Sequence, residues 1–346
     1  MGESISAVRD TIGQGAVRRA IVRHLLTAFR LLVTGGLLWL LASRIDIARA
    51  SDLVFRCSMP LLVAAAAALA ATTPLITLRW RAFLALGGAV PSTIMLWKIV
   101  LVGWFFNQAL PTGVGGDAVR AWRCHRFGIS LGVAIRSVLL DRASGYFVLV
   151  VLYAAGLSTL LREVHDPLLQ QAIIVVFSAS VMGLAALFTL DLMPSFLAQL
   201  PLLTPVAALS KEARRFCAIP RRLAANLALS ACGMALTILS FKLIGDGIGA
   251  RLSYATWIVV VPPVALIQLV PVSLPGWGVR EVALIPILGV FGIPGETALA
   301  TSLACGLCQI MVALLGGLVW LAGWDAAHSA AGGRCLASSV SAQSKP

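Results

Sequence analysis

The chain has 346 residues, of which 59% are apolar and only 12% charged, and its formal net charge is +13. Soluble domains run near ~45–50% apolar and ~25% charged, so a single globular core with a charged skin is excluded. In a soluble chain so basic a balance would suggest nucleic acid; here Lys and Arg sit in short loops between apolar runs, the pattern of cytoplasmic membrane loops, and no nucleic-acid partner is expected.

Residues 1–24 hold Arg9, Arg18, Arg19 and Arg23 without a long apolar run, and read as a basic cytoplasmic N-terminus without a cleavable signal. Residues 25–43 are apolar apart from Arg30 and fit an uncleaved signal anchor. Stretches free of Asp, Glu, Lys and Arg then follow at 57–78, 143–161, 167–190, 223–241, 252–279 and 297–324, each 19 to 28 residues long. Crossing a bilayer takes about 20 such residues. The candidate spans are therefore 25–43, 57–78, 92–110, 143–161, 167–190, 223–241, 253–272 and 297–323, with a short apolar piece at 282–293. The expected fold class is all-α, a polytopic helical membrane protein of about eight transmembrane helices occupying 25–323. A lipid-facing barrel is excluded by runs such as Ala64 to Ala68, which lack alternation. The Ala/Ser/Gly-rich residues 324–346 predict a disordered tail.

Between the fifth and sixth spans, 191–222 holds Pro194, Pro201, Pro205 and Pro220 with Lys211, Arg214, Arg215, Arg221 and Arg222. This predicts a loop with an interfacial helix on the cytoplasmic side, its basic residues fixing topology or meeting anionic lipid. Counting faces from that loop backwards, and from a cytoplasmic N-terminus forwards, gives opposite answers for the basic stretch Arg120 to Arg142 if 92–110 crosses fully. The counts agree if 92–119 enters and leaves on one face.

The sequence at that turn suits a re-entrant element. Asn107-Gln108-Ala109-Leu110-Pro111-Thr112-Gly113-Val114-Gly115-Gly116-Asp117-Ala118-Val119-Arg120 interrupts an apolar helix with Pro, Gly and amide side chains. Freed backbone at membrane depth survives only where it is packed in protein or lines a wet cavity. A second interruption, Pro271-Val272-Ser273-Leu274-Pro275-Gly276-Trp277-Gly278-Val279-Arg280-Glu281, has the same grammar: Leu-Pro, glycines, then an acid and a base. Paired interruptions in two halves of a chain point to a transporter site. The charge count brings the two in from opposite faces, as an inverted pair.

Asp117 and Arg120 share a helical face three residues apart, beside a helix N-terminus and glycine N–H groups that favour an anion. Arg120 adds a planar fork suited to phosphate. Arg280 and Glu281 repeat that pair, and Asp141-Arg142 fits either the same vestibule or an interfacial pair. Charges at such depth cost ~2.5–3.5 kcal/mol each, which makes them functional candidates; the plainer reading is internal ion pairs that pin loops. The candidate substrate-binding set is Asn107, Pro111, Gly115, Gly116, Asp117, Arg120, Asp141, Arg142, Ser273, Gly276, Gly278, Arg280 and Glu281.

Other chemistry is not encoded. Lys98 and Lys242 read as snorkelling side chains. Cys305-Gly306-Leu307-Cys308 sits in an apolar helix, where small buried residues at a helix contact explain it better than metal or redox use. His24, His125, His165 and His328 have no metal-ligand spacing, and there is no P-loop, nucleophile elbow or zinc-protease motif. No catalytic residue, metal or cofactor is expected.

At the two interruptions, Asn107 through Arg120 with Asp141-Arg142, and Pro271 through Glu281, the chain resembles the transmembrane region of the lysylphosphatidylglycerol synthases and their stand-alone flippase-like relatives. The likeness runs across 25–323, and nothing matches the family's soluble aminoacyl-transferring domain. The resemblance implies a lipid flippase or scramblase-like transporter in the cytoplasmic membrane, a phospholipid or other anionic-headgroup lipid as partner, and no synthase activity. In this reading Arg120 and Arg280 meet phosphate, while Asp117 and Glu281 meet a cationic headgroup or titrate. The alternative is a non-transporting membrane scaffold or accessory subunit for a lipid- or glycan-modifying enzyme, with the same charges as structural pairs. Gly245, Gly247 and Gly249, or Gly316 and Gly317, suit a homodimer contact as well as packing within the chain.

Overall fold

The computed structural model describes residues 45–89, 91–110, 115–189, 204–269 and 278–322, with 28, 29, 31–36, 39 and 43 before them. The basic N-terminus 1–24, the tail 324–346, Pro111, Ser273 and Gly276 lie outside the described residues. What is described is helical and carries no strand.

In chain order the helices are α1 (Ile47–Phe55), α2 (Met59–Leu86), α3 (Thr93–Ala109), α4 (Gly115–Arg126), α5 (Leu131–Glu163), α6 (Pro167–Thr189), α7 (Thr204–Cys217), α8 (Pro220–Ile248), α9 (Tyr254–Ile267), α10 (Val279–Val290) and α11 (Gly295–Leu321). Five of them, α2, α5, α6, α8 and α11, are 23 to 33 residues long and apolar enough to cross a membrane. The chain is a multi-pass helical membrane protein.

α2 and α5 outrun the charge-free stretches that announce them, α2 to Leu86 and α5 from Leu131. Charged turns join both helices without a breaker until Gly87-Gly88 and before Gly128, so hydropathy alone truncates them. Pro74 inside α2 leaves the Ala70 carbonyl without its backbone donor, and the Thr73 hydroxyl donates to it at 2.8 Å.

α3 has 17 residues and α4 12, each too short to span alone. They pack along each other as a helical hairpin. At their contact the backbone of Gly116 lies against the Gly103 carbonyl, and the Gly116 N–H donates to Asn107 Oδ1 at 2.9 Å. α9 and α10, with 14 and 12 residues, form the second hairpin. Each interruption in the sequence therefore falls between two short helices that pack on each other.

α2 and α8 make the most extensive helix pair and run antiparallel. Arg79, late in α2, meets Asn226 and Ser230, early in α8. Cys57, just before α2, meets Gly247, at the end of α8. Around this pair one core joins the apolar faces of α5, α8, α9 and α11. α7 lies where the sequence places its interfacial helix, with Ala213 and Phe216 buried and Lys211, Arg214, Arg215 exposed.

Basic residues gather at one end of the bundle: Arg79 and Arg81 at the end of α2, Arg136 at the start of α5 and paired at 2.6 Å with Glu212 of α7, and Arg221 and Arg222 at the start of α8. We call this end the basic face. The opposite end carries mixed charges, such as Glu163, Asp166, Arg251 and Glu296. Lys242 does not snorkel alone: it pairs with Asp246 at 2.7 Å and donates to the Leu252 carbonyl. Gly245, Gly247, Gly316 and Gly317 contact Trp257, Cys57, Leu101 and Phe105 of the same chain.

Candidate functional site

Three helices bring five charges together on the basic half of the bundle. Asp141 of α5 is almost fully enclosed and takes Arg79 Nε on Oδ1 at 2.6 Å and Arg120 Nη2 on Oδ2 at 2.9 Å. Asp117 of α4 is held by both donors of Arg142, at 2.8 and 3.2 Å, a bidentate pair. Arg120 Nη1 reaches Asp117 only at 3.4 Å, so the neighbours in sequence are the weaker partners in space. The guanidinium of Arg120 also lies 4.2 Å over the ring of Trp80, whose Nε1 donates to Ser137.

Local structure explains why these side chains meet. α4 opens at Gly115-Gly116, and any side chain at 116 would strike Gly103 and Asn107 of α3. The close approach presses the hairpin together and lays Arg120 across Gly103 towards α5. Asp141 and Arg142, adjacent on α5, then face different neighbours, Asp141 inward and Arg142 towards Asp117 at the surface of the cluster.

A polar cavity of about 240 Å³ lies on this cluster, lined by Arg79, Arg120, Asp141 and Arg142 with Asn107, Gln108 and Gln309. It shares Ile76, Arg79, Trp104 and Arg142 with a larger cavity of about 500 Å³ between α2, α5, α6 and α8, whose other walls are mostly apolar. A smaller apolar cavity of about 120 Å³ continues beneath α7 along Phe83, Phe147, Leu187 and Phe216. The three are chemically graded, from charged to greasy. Within the cluster three arginines face two aspartates, leaving one positive charge.

The second group of predicted residues is arranged differently. Glu281 is fully enclosed in the first turn of α10, where Oε2 accepts from the Gly278 N–H at 2.6 Å. Its Oε1 accepts from Ser302 Oγ at 2.6 Å and Arg280 Nη2 at 3.1 Å. Arg280 also donates to Ser302 Oγ at 2.7 Å and to Gln309 Oε1 at 3.3 Å. This is a helix-capping ion pair with every oxygen used, and neither charge lines the polar cavity. Among the described residues Gln309 links the two interruptions, lining the cavity and accepting from Arg280.

Of the sequence candidates, the structure gathers Asn107, Gly115, Gly116, Asp117, Arg120, Asp141 and Arg142 at one place and sets Gly278, Arg280 and Glu281 one residue behind it. Sequence reading passes over Arg79, Trp104, Gln108 and Gln309 as site residues. Gln309 carries a signal of its own, the single amide in the charge-free stretch 297–324. Arg79 stands directly after the stretch 57–78 and looks like a topological charge. Among the described residues no group of His, Cys, Asp and Glu could hold a metal ion. Cys305 and Cys308 are buried in the core.

The family model described as the lysylphosphatidylglycerol synthase TM region matches residues 27–317. No curated protein matches the chain.

Proposed function

The chain belongs to the lysylphosphatidylglycerol synthase transmembrane-region family, and on that footing we propose that it moves a phosphodiester lipid between leaflets, as a flippase or scramblase-like transporter rather than an enzyme. The observation that carries this is the grading of the cavities. A polar cavity on the five-charge cluster, with that cluster's one surplus positive charge, shares its walls with a mostly apolar cavity between membrane-spanning helices. A lipid headgroup has the matching chemistry: one negative phosphate on a polar stem, joined to chains that need no water.

Arg142 is the side chain suited to meet that phosphate. It is the most exposed of the five, with 46% of its side chain accessible, and it lines both the polar and the larger cavity. Trading Asp117 for phosphate exchanges one charge-assisted bidentate contact for another. Asp117, released, would accept from an ammonium group where the lipid carries one. Arg79 and Arg120 stay on Asp141 and hold the floor of the cavity.

We further propose the cytoplasmic membrane as location, with the basic face and the N-terminus on the cytoplasmic side. The enclosed Arg280–Glu281–Ser302 cluster favours the scaffold alternative for those residues alone, since it is complete without a ligand. The test is leaflet exchange of fluorescent phospholipids in liposomes holding the purified chain, with Arg142→Gln beside it. Exchange above empty liposomes, lost in Arg142→Gln while its melting point is kept, is expected. Equal exchange in the two proteins would remove Arg142 from the site, and no exchange of any phosphodiester lipid would overturn transport.

A further inference from the structure

Two buried polar atoms beside the graded cavities have no hydrogen-bond partner among the described residues, and they are of opposite sense. Arg120 Nε is a donor, and Arg120 lines the polar cavity. Asn226 Oδ1 is an acceptor, and Asn226 lines the apolar cavity beneath α7. Arg120 is 5% exposed and Asn226 2%, so neither side chain lies open to bulk solvent. Buried polar groups in folded proteins are almost always paired, and a stranded one costs stability. A ligand that pairs with both removes that cost.

Asn226 is held in one orientation. It stands in the second turn of α8, and its Nδ2 donates to the Arg79 carbonyl of α2 at 3.4 Å. Turned over, the amide would set its oxygen against that carbonyl, so Oδ1 is the end left unused. The neighbouring hydroxyls are committed elsewhere. Ser230 Oγ donates to the Asn226 carbonyl at 2.9 Å, and Ser144 Oγ, which also lines the apolar cavity, donates to the Asp141 carbonyl at 2.9 Å. Cys217 adds only a thiol, a weak donor, and Phe83, Leu140, Phe147 and Phe216 are among the apolar walls.

The same contacts set the order of the two stranded atoms. Arg79, whose backbone carbonyl takes the Asn226 amide, carries its guanidinium to Asp141, on which Arg120 also lies. The apolar cavity shares Ala143 and Leu187 with the larger cavity, and the larger shares Arg79 and Arg142 with the polar one. Along this path a ligand meets a lone donor, then a lone acceptor, then aromatic and aliphatic walls. Asn226 is early in α8 and near the basic face, where the linker of a lipid lies and its chain ends do not.

We propose that the lipid this site is built for carries a hydrogen-bond donor, a free hydroxyl or an amide N–H, on the linker between its phosphate and its chains, and that Asn226 reads it, an inference that rests on the transport reading for its purpose. A non-esterified phosphate oxygen pairs with Arg120 Nε, the linker donor pairs with Asn226 Oδ1, and one chain lies beneath α7 against Phe83 and Phe216. Diacylglycerol phospholipids are poorer ligands. Between phosphate and chains they have only ester oxygens, all acceptors, which leave Oδ1 stranded. Lipids that lack one acyl group, or hold a chain through an amide, supply the missing donor.

Two matched pairs of probes with one headgroup isolate that donor. The first is lysophosphatidylcholine with its free hydroxyl, beside the same molecule capped as a methyl ether. The second is an amide-linked phosphatidylcholine beside its N-methyl amide. Affinities are measured by competition against a fluorescent lysophospholipid, with the full chain in nanodiscs of diacyl phosphatidylcholine. The donor-bearing member should bind about tenfold tighter, the worth of one buried hydrogen bond. A gap in the first pair names the hydroxyl and a gap in the second the amide. Equal affinities within both pairs would overturn the proposal, with a trapped water then the partner of Oδ1.

The variant Asn226→Leu should close the gap by removing the acceptor, and Asn226→Ala, which needs no new space, should do the same. A gap that persists in both would be a steric effect of the methyl cap and would overturn the role of Asn226. Leaflet exchange keeps the two readings apart. Donor-dependent binding without exchange of any lipid would sink transport and leave the ligand assignment standing. Exchange with no gap in either pair would do the reverse.

Discussion

Asp141 and Arg142 are neighbours in sequence with opposite energetic positions. Asp141 neutralises two enclosed arginines, so Asp141→Asn strands buried positive charge and should cost about 3–5 kcal/mol, read as a lower melting point in detergent. Arg142 is nearly half exposed, its pair with Asp117 is screened, and Arg142→Gln should cost below about 1 kcal/mol while abolishing exchange. Equal destabilisation by the two would contradict the assignment of Asp141 to structure and Arg142 to ligand. Glu281→Gln belongs with Asp141: it leaves Arg280 without its countercharge, and should lower the melting point by a comparable amount yet leave exchange per folded molecule unchanged. Loss of exchange in a Glu281→Gln protein of unaltered stability would restore the titrating role that the sequence suggests for it.

That contrast marks what the residue pattern can and cannot express. Asp117, Arg120, Asp141 and Arg142 are legible because charge is rare in this chain and these lie beside a glycine-rich interruption. Who pairs with whom is not legible, since Arg120 prefers Asp141, 21 residues away, to Asp117 in the preceding turn. The second acid–base pair reads the same in sequence as the first and behaves differently only because Ser302 and Gln309 arrive from α11 to complete it.

At the scale of elements, the helical hairpins depend on missing side chains. Gly116 faces the Gly103 carbonyl, and Gly316 of α11 faces the Leu101 carbonyl of α3, both in closer contact than a Cβ permits. Overpacking of this kind costs about 1–3 kcal/mol, more where backbone must move. Gly116→Ala and Gly316→Ala should each lower the melting point by more than Gly36→Ala, where a Cβ meets open space. A Gly116→Ala protein with native stability would mean that the hairpin is less tightly closed than described. Hydropathy finds the long crossings well, but α3 and α9 differ from them only in length, and the charge count is what separates a hairpin from a span.

For the whole molecule, the one surplus positive charge of the cluster predicts, on the transport reading, a selectivity. Lipids with a single phosphodiester, zwitterionic or monoanionic, should exchange at least tenfold faster than neutral glycolipid probes of the same chain length, and raising salt should narrow the gap. Equal rates for phosphate-bearing and phosphate-free lipids would show that the arginines do not read the headgroup. The bundle itself is graded by charge from end to end, with basic residues at the ends of α2, α5, α7 and α8 on one face, and that gradient is legible from the first pass along the sequence.

The glycine contacts of α3 have a mechanical consequence. Where backbone touches backbone there is no rotamer to relax, so α3 is splinted to α4 through Gly103 and Gly116, and to α11 through Leu101 and Gly316. α11 comes from the far end of the chain, and the stiff piece therefore joins segments some 200 residues apart, while the chain's own neighbours α2 and α5 lie outside it. Compliance is left to the turns at Gly88 and Gly128, where φ is positive and a Cβ would meet nothing. The rigid piece that packing defines is therefore cross-braced between distant segments rather than built from one half of the sequence.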